Sequence, residues 1–166
     1  MSNEAGKPVS GSSIEVTHLV LPPDTNALGT IFGGRIMEWA DLAASIVAMR
    51  HTRQACVTAS MDALHFIAPI HLGDIVVLKA AINYTHTTSL EIGVRVESEN
   101  PKTGIRSHAA SAYLTFVAID AQGKPIPVPA IIAESEAEKR RLLEAQMRRQ
   151  DRLTHRQGIQ AARQQS

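Results

Sequence analysis

A loop punctuated by proline and glycine leads into a predicted helix in the stretch LPPDTNALGTIFGGRIMEWAD, residues 21–41. Gly33 and Gly34 stand where this helix begins, and the first N–H groups of a helix have no partner within the helix. Such a start can hold an oxyanion or an anionic ligand. About two turns further on, the helix carries an ionisable carboxylate, Asp41. The stretch therefore combines donors for a negative charge with an acidic side chain.

Each of these residues also has an ordinary structural interpretation. Asp41 falls on a narrow polar strip of the helix with Glu38 and Ser45, and such a strip usually faces water. Glycine permits tight turns, and the polar side chains of the loop can bond to their own backbone as turn formers. That explanation covers Asp24 well and Asn26 less completely. The spacing alone leaves both interpretations open.

Stronger catalytic motifs are missing from the sequence. It contains no G-x-S-x-G, G-x-G-x-x-G, G-x-x-x-x-G-K-[ST] or H-E-x-x-H motif, so it gives no support to the enzyme classes that those motifs typify. The seven histidines are scattered without helical metal-binding spacing, and we expect no metal site. Cys56 lies in a strand pattern, where a small apolar filler is more common than a nucleophile.

Composition sets the class of protein. The chain has 166 residues, 17 basic and 16 acidic side chains and a net charge of +1, so no global field attracts nucleic acid or an anionic membrane. No apolar stretch is long enough to span a bilayer, and the first 30 residues lack the pattern of a secretory signal. A single cysteine cannot form an internal disulfide. We therefore expect a cytoplasmic protein without nucleic-acid binding or membrane insertion.

The chain is predicted to have three zones. Residues 1–13, MSNEAGKPVSGSS, are small, polar and aperiodic, which predicts a disordered N-terminal segment. Residues 14–130 form the domain. Residues 131–166 form a charged, helical C-terminal tail.

The tail helix has a recognisable start. Ser135 and Glu138 form a capping-box pattern, so the helix is predicted to begin there. Such a charge-rich helix is usually a solvated face that packs a few apolar residues against its own domain or a neighbour. The residues expected to pack are Leu142, Leu143 and Met147.

Five segments of the domain have strand length: IEVTHLVL, ACVTASMDAL, IVVLKAAINY, SLEIGVRVES and SHAASAYLTFVAI. In ACVTASMDAL, apolar residues such as Val57 alternate with Cys56 and Thr58, the period of a strand with one apolar face. PIHLGD, THTT and ENPKTG separate the later strands and have turn chemistry. Most connections are too short for crossover helices, so the pattern predicts a mainly antiparallel sheet.

One helix is predicted within the domain, from Gly34 to Arg50. A helical projection places Ile36, Ala40 and Val47 on one apolar face. The many alanines of this helix let another element approach closely. With the five strands, the helix predicts an α+β fold.

The blocks LPPDTNALGTIFGGRIMEWAD, VTASMDALHFIAPIHLGD, TTSLEIGVRVESENPKTG and YLTFVAID, in this order and at these intervals, resemble the hotdog-fold acyl-CoA thioesterases of the cytosolic long-chain type. The resemblance covers residues 14–129. Its most specific part is Asn-x-x-Gly, a Gly-Gly helix start, and an aspartate seven residues after the second glycine. It implies a hotdog fold, a long central helix wrapped by an antiparallel sheet of about five strands, which agrees with the reading of the residues.

The resemblance also implies roles for individual residues. Asp41 matches the residue that acts as general base on water or attacks the thioester carbonyl directly, and the sequence does not separate the two. Asn26 matches an asparagine that positions the water or the carbonyl and reaches the aspartate of the neighbouring chain. Gly33 and Gly34 would donate to the oxyanion. Thr58 would line the substrate pocket, although cross-strand packing explains it equally well.

Coenzyme A is implied as part of the substrate and product, and no cofactor or metal is implied, because a thioester is already activated. Its phosphates need Arg, Lys or backbone N–H groups. By analogy the candidates are Ser89, Arg95 and Arg106. A surface arginine on a sheet is more often a solvated cross-strand partner.

Two further expectations concern assembly and alternatives. The resemblance implies a homodimer through an open sheet edge, and dimers stacked into hexamers as a trimer of dimers.

The alternative is a non-catalytic acyl-CoA-binding or sensing hotdog module, but a regulator needs a DNA-binding element that the segment before Ile14 is too short to build. A hotdog dehydratase usually depends on a histidine in the central helix region, where this helix carries Asp41 and reaches His51 only at its end.

Overall fold

The described part of the chain contains two α-helices, eight strands and two short 3-10 helices, Val9–Gly11 and Pro22–Asp24. The computed structural model describes residues 5–62 and 64–164. In chain order the elements are β1 (Lys7–Pro8), β2 (Ile14–Leu19), α1 (Gly33–Thr52), β3 (Ala55–Met61), β4 (His65–Phe66), β5 (Ile75–Thr85), β6 (Ser89–Glu99), β7 (Arg106–Ile119), β8 (Ile131–Ile132) and α2 (Glu136–Gln164).

The main sheet is antiparallel throughout. Its strand order is β2-β5-β6-β7-β3, and the short β4 pairs with β7 further along the same edge that β3 uses. Two of the three predicted turns are hairpins between paired strands, THTT between β5 and β6 and ENPKTG between β6 and β7. PIHLGD instead leads from β4, which pairs with β7, to β5, which pairs with β2 and β6. Gly73 and Gly104 have φ angles of 86° and 70°, which favour glycine. The predicted five-stranded antiparallel sheet is therefore confirmed, with β4 as a short addition.

Helix α1 lies against one face of the sheet and contacts all five long strands. Its buried residues include Ile36, Ala40 and Val47, as the helical projection predicts. Ala44 and Ala48, which the projection places beside the polar strip, are also fully buried. The reason is that the sheet curls around the helix and covers more than one stripe of it. This central helix in a curled sheet is the hotdog fold, and that prediction is confirmed.

Helix α2 covers the opposite face of the sheet. Along β6, Leu90 and Ile92 point into the core with α1, so the intervening Glu91 points the other way. The Glu91 side chain is 1% exposed and pairs with Arg148 of α2 at 2.7 Å. Arg148 also lies over the ring of Tyr113, with its guanidinium carbon 3.7 Å from the ring centroid. A buried ion pair and an aromatic contact therefore fix α2 to the sheet.

The predicted start of α2 is confirmed, but its predicted packing is partly wrong. The Glu138 N–H donates to Ser135 Oγ and the Ser135 N–H donates to Glu138 Oε2, which completes the capping box. Leu143 and Met147 point to solvent and are 62% and 67% exposed. Because Arg148 must face Glu91, the helix turns Ala145 rather than these two residues toward the sheet.

The prediction of disorder at the N-terminus fails for the described part of that segment. Residues 1–4 lie outside the described residues. Lys7 and Pro8 form β1, which pairs in parallel with β8, and Val9 is buried in the core. The Lys7 ammonium donates to the carbonyl oxygen of His51 at the end of α1. The segment is polar but folds because its backbone and one apolar side chain find partners in the rest of the chain.

Strand β3 presents its faces differently from the sequence pattern. Val57 is exposed, whereas Cys56 packs against the core, and Thr58 points toward α1. The pairing with β7 shifts between Thr58 and Ser60. The apolar face of this strand therefore lies on the outside, at the open end of the sheet.

Candidate functional site

Asp41 and Thr58 meet between α1 and β3. The Thr58 hydroxyl donates a hydrogen bond of 2.7 Å to Asp41 Oδ1. Asp41 lies two turns into the helix and is half-buried, while Thr58 is exposed in the single chain. Among the described residues, Oδ2 of Asp41 has no hydrogen-bond partner. One carboxylate oxygen is therefore held in place, and the other is free to accept a proton or to attack.

The side chain of Asn26 organises the loop before α1. Asn26 Oδ1 accepts a hydrogen bond from the Leu28 N–H at 2.9 Å, and a weaker one from the Thr30 N–H at 3.3 Å. Asn26 Nδ2 lies 3.0 Å from the Thr30 hydroxyl. Gly29, with φ of 76°, closes the turn. The turn-forming interpretation of Asn26 is correct, but it uses the carbonyl oxygen and leaves an amide hydrogen on the exposed side.

The two glycines begin α1. Gly33 is its first residue, and Phe32 caps the helix without a side-chain hydrogen bond. The N–H groups of Gly33 and Gly34 have no acceptor among the described residues. Phenylalanine rings flank both glycines: a Cβ on Gly34 would lie 2.7 Å from the Phe32 ring, and a Cβ on Gly33 would lie 3.5 Å from the Phe66 ring. The helix start thus offers free donors in an apolar surrounding.

Asp24 fixes this loop to the helix. One of its oxygens accepts from the Leu21 N–H and the other pairs with Arg35 of α1 at 3.0 Å. The prediction that Asp24 is a turn former is confirmed. Through Arg35, the residue also ties the Asn26 turn to the first turn of α1.

The candidate residues form two groups within one chain. Gly33 and Asp41 are eight residues apart on one helix, which is about 12 Å along its axis. Asn26 bonds within its own loop and Asp41 bonds to Thr58; no hydrogen bond among the described residues joins the two groups. A single chain therefore holds the donor group and the acid group at different places.

Large apolar side chains of α1 and β3 are exposed in the single chain. On α1 they are Met37, Leu42, Ile46 and Met49, and on β3 it is Val57, on the face opposite Thr58. Strand β3 is the last strand of the sheet, and its outer edge has no strand partner in the described chain. Apolar groups beside an open strand edge are typical of an interface.

The three candidates for coenzyme A are spread over the sheet. Ser89 pairs with Val117 at one end of the β6-β7 ladder, while Arg106 pairs with Glu99 at its other end. Arg95 lies between them and donates to Glu97 at 2.8 Å, a hydrogen bond that holds the pKa of Glu97 below its usual value. Arg106 is bonded to Glu99. The solvated cross-strand interpretation therefore fits Arg106, which pairs with Glu99 across β6 and β7, whereas Arg95 pairs with Glu97 on its own strand.

Metal and thiol chemistry have little support in the described residues. No group of three or more His, Cys, Asp or Glu is placed to hold a metal ion there. Burial raises the pKa of the Cys56 thiol, although its hydrogen bond with Thr52 lowers it, which fits a packing residue. In the same part of the chain, neither helix is long and apolar enough to cross a membrane.

Two features of the site were missed at the level of sequence. Thr30 bonds to Asn26, and Phe66 packs against Gly33. The chain has three phenylalanines, and Phe116 is in the core, so the other two both lie at the helix start. The small number of phenylalanines in the sequence was the signal that could have pointed to Phe32 and Phe66.

Comparison with known proteins gives a consistent group of relatives. The thioesterase superfamily model matches residues 28–105. An uncharacterised acyl-CoA thioester hydrolase of Bacillus subtilis (strain 168) is 46% identical over 127 residues, which are 76% of this chain and 74% of that protein. The cytosolic acyl coenzyme A thioester hydrolase of Rattus norvegicus is 38% identical over 90% of this chain, but this chain spans only 40% of that protein.

Solved structures are similar over almost the whole chain. An apo-hexameric acyl-CoA thioesterase has a TM-score of 0.88 and 42% identity, over 91% of this chain and 97% of that one. An acyl-CoA hydrolase from Staphylococcus aureus in complex with butyryl coenzyme A has a TM-score of 0.88 and 36% identity, over 94% and 95% of the two chains. Alanine mutants of that enzyme at an asparagine, an aspartate and a threonine, spaced 15 and 17 residues apart in that order, are also similar.

Proposed function

The chain belongs to the thioesterase superfamily and is an acyl-CoA thioester hydrolase of the hotdog fold, and from this premise we propose that Asp41, Asn26 and the start of α1 carry its reaction. Water adds to the thioester carbonyl, the carbon–sulfur bond breaks, and the products are a fatty acid and the coenzyme A thiol. The observation that carries the proposal is the Asp41 carboxylate, fixed at one oxygen by Thr58 and free at the other.

The acid group supplies the proton acceptor or the nucleophile. A carboxylate in hydrogen-bond reach of water can remove its proton as the new carbon–oxygen bond forms, or can attack the carbonyl itself. Because Thr58 holds Oδ1, the orientation of the carboxylate is fixed, and the lone pairs of Oδ2 point in one direction. In the Staphylococcus aureus enzyme the mutated asparagine, aspartate and threonine have the spacing of Asn26, Asp41 and Thr58, which supports these three as a functional set.

The donor group stabilises the developing oxyanion. The Gly33 and Gly34 N–H groups and the free hydrogen of Asn26 Nδ2 are unsatisfied donors at one end of α1. Donors of this kind, fixed before the reaction, lower the barrier of acyl transfer by about 3 kcal/mol each in other enzymes. The thiolate leaves readily, so the proposed reaction uses no metal ion or cofactor, and coenzyme A enters only as part of the substrate.

The two groups act together across a subunit interface. Reacting atoms must come within about 3–3.5 Å, whereas Gly33 and Asp41 of one chain are about 12 Å apart along α1. We propose that Asn26 and the glycines of one subunit face Asp41 and Thr58 of another. The exposed apolar residues beside the open edge of β3 would be covered in that dimer.

Higher assembly and location follow the relatives. A hexameric thioesterase of high similarity supports a hexamer, and we propose that it is built as a trimer of dimers. A cytosolic relative supports a cytoplasmic location. Ser89, Arg95 and Arg106 remain proposed contacts for coenzyme A. Different subunits of the assembly, rather than one chain, would bring these residues together.

Thiol release from acyl-CoAs of graded chain length tests the proposal. Wild type is expected to release thiol, and Asp41→Ala and Asn26→Ala are expected to lose most of that rate. Glu38→Ala is the matched control, because Glu38 is an exposed acid on the same helix that pairs with Arg35. An Asp41→Ala protein that folds, assembles and hydrolyses at the wild-type rate would contradict the mechanism. Binding of acyl-CoA without turnover by wild type would favour the non-catalytic sensing module.

A further inference from the structure

An apolar cleft opens beside the start of α1. Its volume is about 520 Å³, and its walls are Thr30, Ile31 and Gly33 on one side and residues 66–70 on the other. Ile31 and Ile70 are buried and form its base. Phe66 and Ile67 are 49% and 63% exposed and form its outer wall. None of the lining residues is charged.

The chemistry of this cleft selects one arm of the substrate. An acyl-CoA thioester has an apolar acyl arm and an arm that carries amides and phosphates. Charged groups are costly to place against apolar walls without partners, so the phosphate-bearing arm does not suit the cleft. The cleft includes Gly33, whose N–H is a proposed donor to the thioester oxygen. With the carbonyl at Gly33, the first carbons of the acyl arm lie against this apolar wall.

Phe66 lies where the wall of the cleft meets the start of α1. Its ring lies 3.5 Å from the position of a Cβ on Gly33, so it packs directly against the helix start. The ring is held there because Phe66 belongs to β4 and pairs with Ala110 of β7, a buried residue of the core. The backbone of Phe66 is therefore fixed, while its ring remains half-exposed at the cleft.

We propose that Phe66 determines which acyl groups this enzyme accepts: its ring limits the width of the cleft beside the carbonyl, so that straight acyl groups enter and groups branched next to the carbonyl do not. This inference rests on the proposed function and assigns the acyl subsite to residues 66–70. Phe66 contacts the substrate but takes part in no proton transfer. Pockets of this kind discriminate one methyl or methylene group by about 10-fold or more.

Two substrates of equal carbon number test whether the cleft selects acyl groups by their width rather than by their length. Butyryl-CoA is straight, and isobutyryl-CoA is branched at the carbon next to the carbonyl. We expect wild type to prefer butyryl-CoA in kcat/KM, and Phe66→Ala to raise the isobutyryl-to-butyryl ratio about tenfold. Phe66→Leu should raise it less. Ile105→Ala is the control, because Ile105 is an exposed apolar residue of the β6-β7 turn outside the cleft.

The outcomes distinguish this inference from the proposed function. Hydrolysis by Phe66→Ala with the wild-type ratio would overturn the role of Phe66 alone. A wild type that releases no thiol from either substrate would overturn the proposed function and this inference with it. If Phe66→Ala does not assemble like wild type, Phe66→Leu decides: a wild-type ratio in Phe66→Leu would make Phe66 an interface residue and reject the subsite.

Discussion

The Thr58 hydroxyl donates a 2.7 Å hydrogen bond to Oδ1 of Asp41, and this contact joins the open-edge strand β3 to the third turn of α1. It explains why a helix with a polar strip places an acid there. The strip does not simply face water at this position; β3 lies against it and holds one oxygen of the carboxylate.

Thr58 is expected to act through Asp41. Thr58→Ala removes a hydrogen bond to a charged group, which is worth about 1.5–3 kcal/mol, so kcat should fall about 10- to 100-fold. Thr58→Ser keeps the hydroxyl and should recover most of the rate. The measurement is steady-state thiol release with both variants at equal oligomeric state. Equal rates for the alanine and serine variants would show that the hydroxyl does not matter.

Asn26→Asp separates the two functions of that side chain. An aspartate keeps the oxygen that accepts the Leu28 N–H but loses the Nδ2 donor. We expect the loop and the melting temperature to be retained while kcat falls about 100- to 1,000-fold. Asn26→Ala, which loses both functions, should also lower the melting temperature. Full activity of Asn26→Asp would contradict the proposed donor role.

Arg148 is expected to be the main anchor of α2. Arg148→Met leaves Glu91 buried with only Arg152, at 3.4 Å, as its remaining cationic partner. Removing one partner of a buried pair should lower the free energy of unfolding by about 3 kcal/mol, measured by urea denaturation at fixed protein concentration. Arg140→Met is the control, since its pair with Glu144 is exposed and should contribute under about 1 kcal/mol. Similar losses for both variants would refute the anchor.

His51 should make stability depend on pH. Burial lowers its pKa; the Pro129 carbonyl, which accepts from Nε2, opposes this, and Lys7 adds to it. Arg50 and Arg53 line the same small cavity. The unfolded chain therefore binds a proton that the folded protein does not, and the free energy of unfolding should fall as pH drops below 6.5.

His51→Gln should flatten this dependence without removing it, because burial also lowers the pKa of His18, which stacks on Trp39. Thermal melts of wild type and His51→Gln between neutral and mildly acidic pH provide the measurement. Parallel pH curves for the two proteins would mean that His51 is not responsible.

Much of the fold could be predicted because its signals are local. The strand segments, the β5-β6 and β6-β7 turns and the apolar stripe of α1 each depend on neighbours in the chain, and these predictions are confirmed. The predictions that failed depend on contacts between residues that are far apart in the sequence. Val9 is buried because the short turn after β1 packs against β5, and Leu143 points outward because Arg148 pairs with Glu91.

The residues of the site show the same division between local signals and long-range contacts. The Asn26 turn and the Gly33-Gly34 start are local and could be located from the sequence. The contact between Asp41 and Thr58 needs α1 and β3 to pack, and the position of Phe66 needs β4 to pair with β7. Neither relation is contained in a spacing; the resemblance to a family identified Asp41 and Thr58, whereas Phe66 emerged only from the structure.

Co-expression of Asn26→Ala and Asp41→Ala chains tests the shared site most directly. In a two-fold dimer of one chain of each kind, one site loses both residues, and the other keeps Asn26 from one subunit and Asp41 from its partner. Each variant alone should be nearly inactive. Random pairing makes half of the dimers mixed, with one intact site of two, so thiol release should return to about one quarter of the wild-type rate. No activity above that of the separate variants, in verified mixed dimers, would contradict a site built from two subunits.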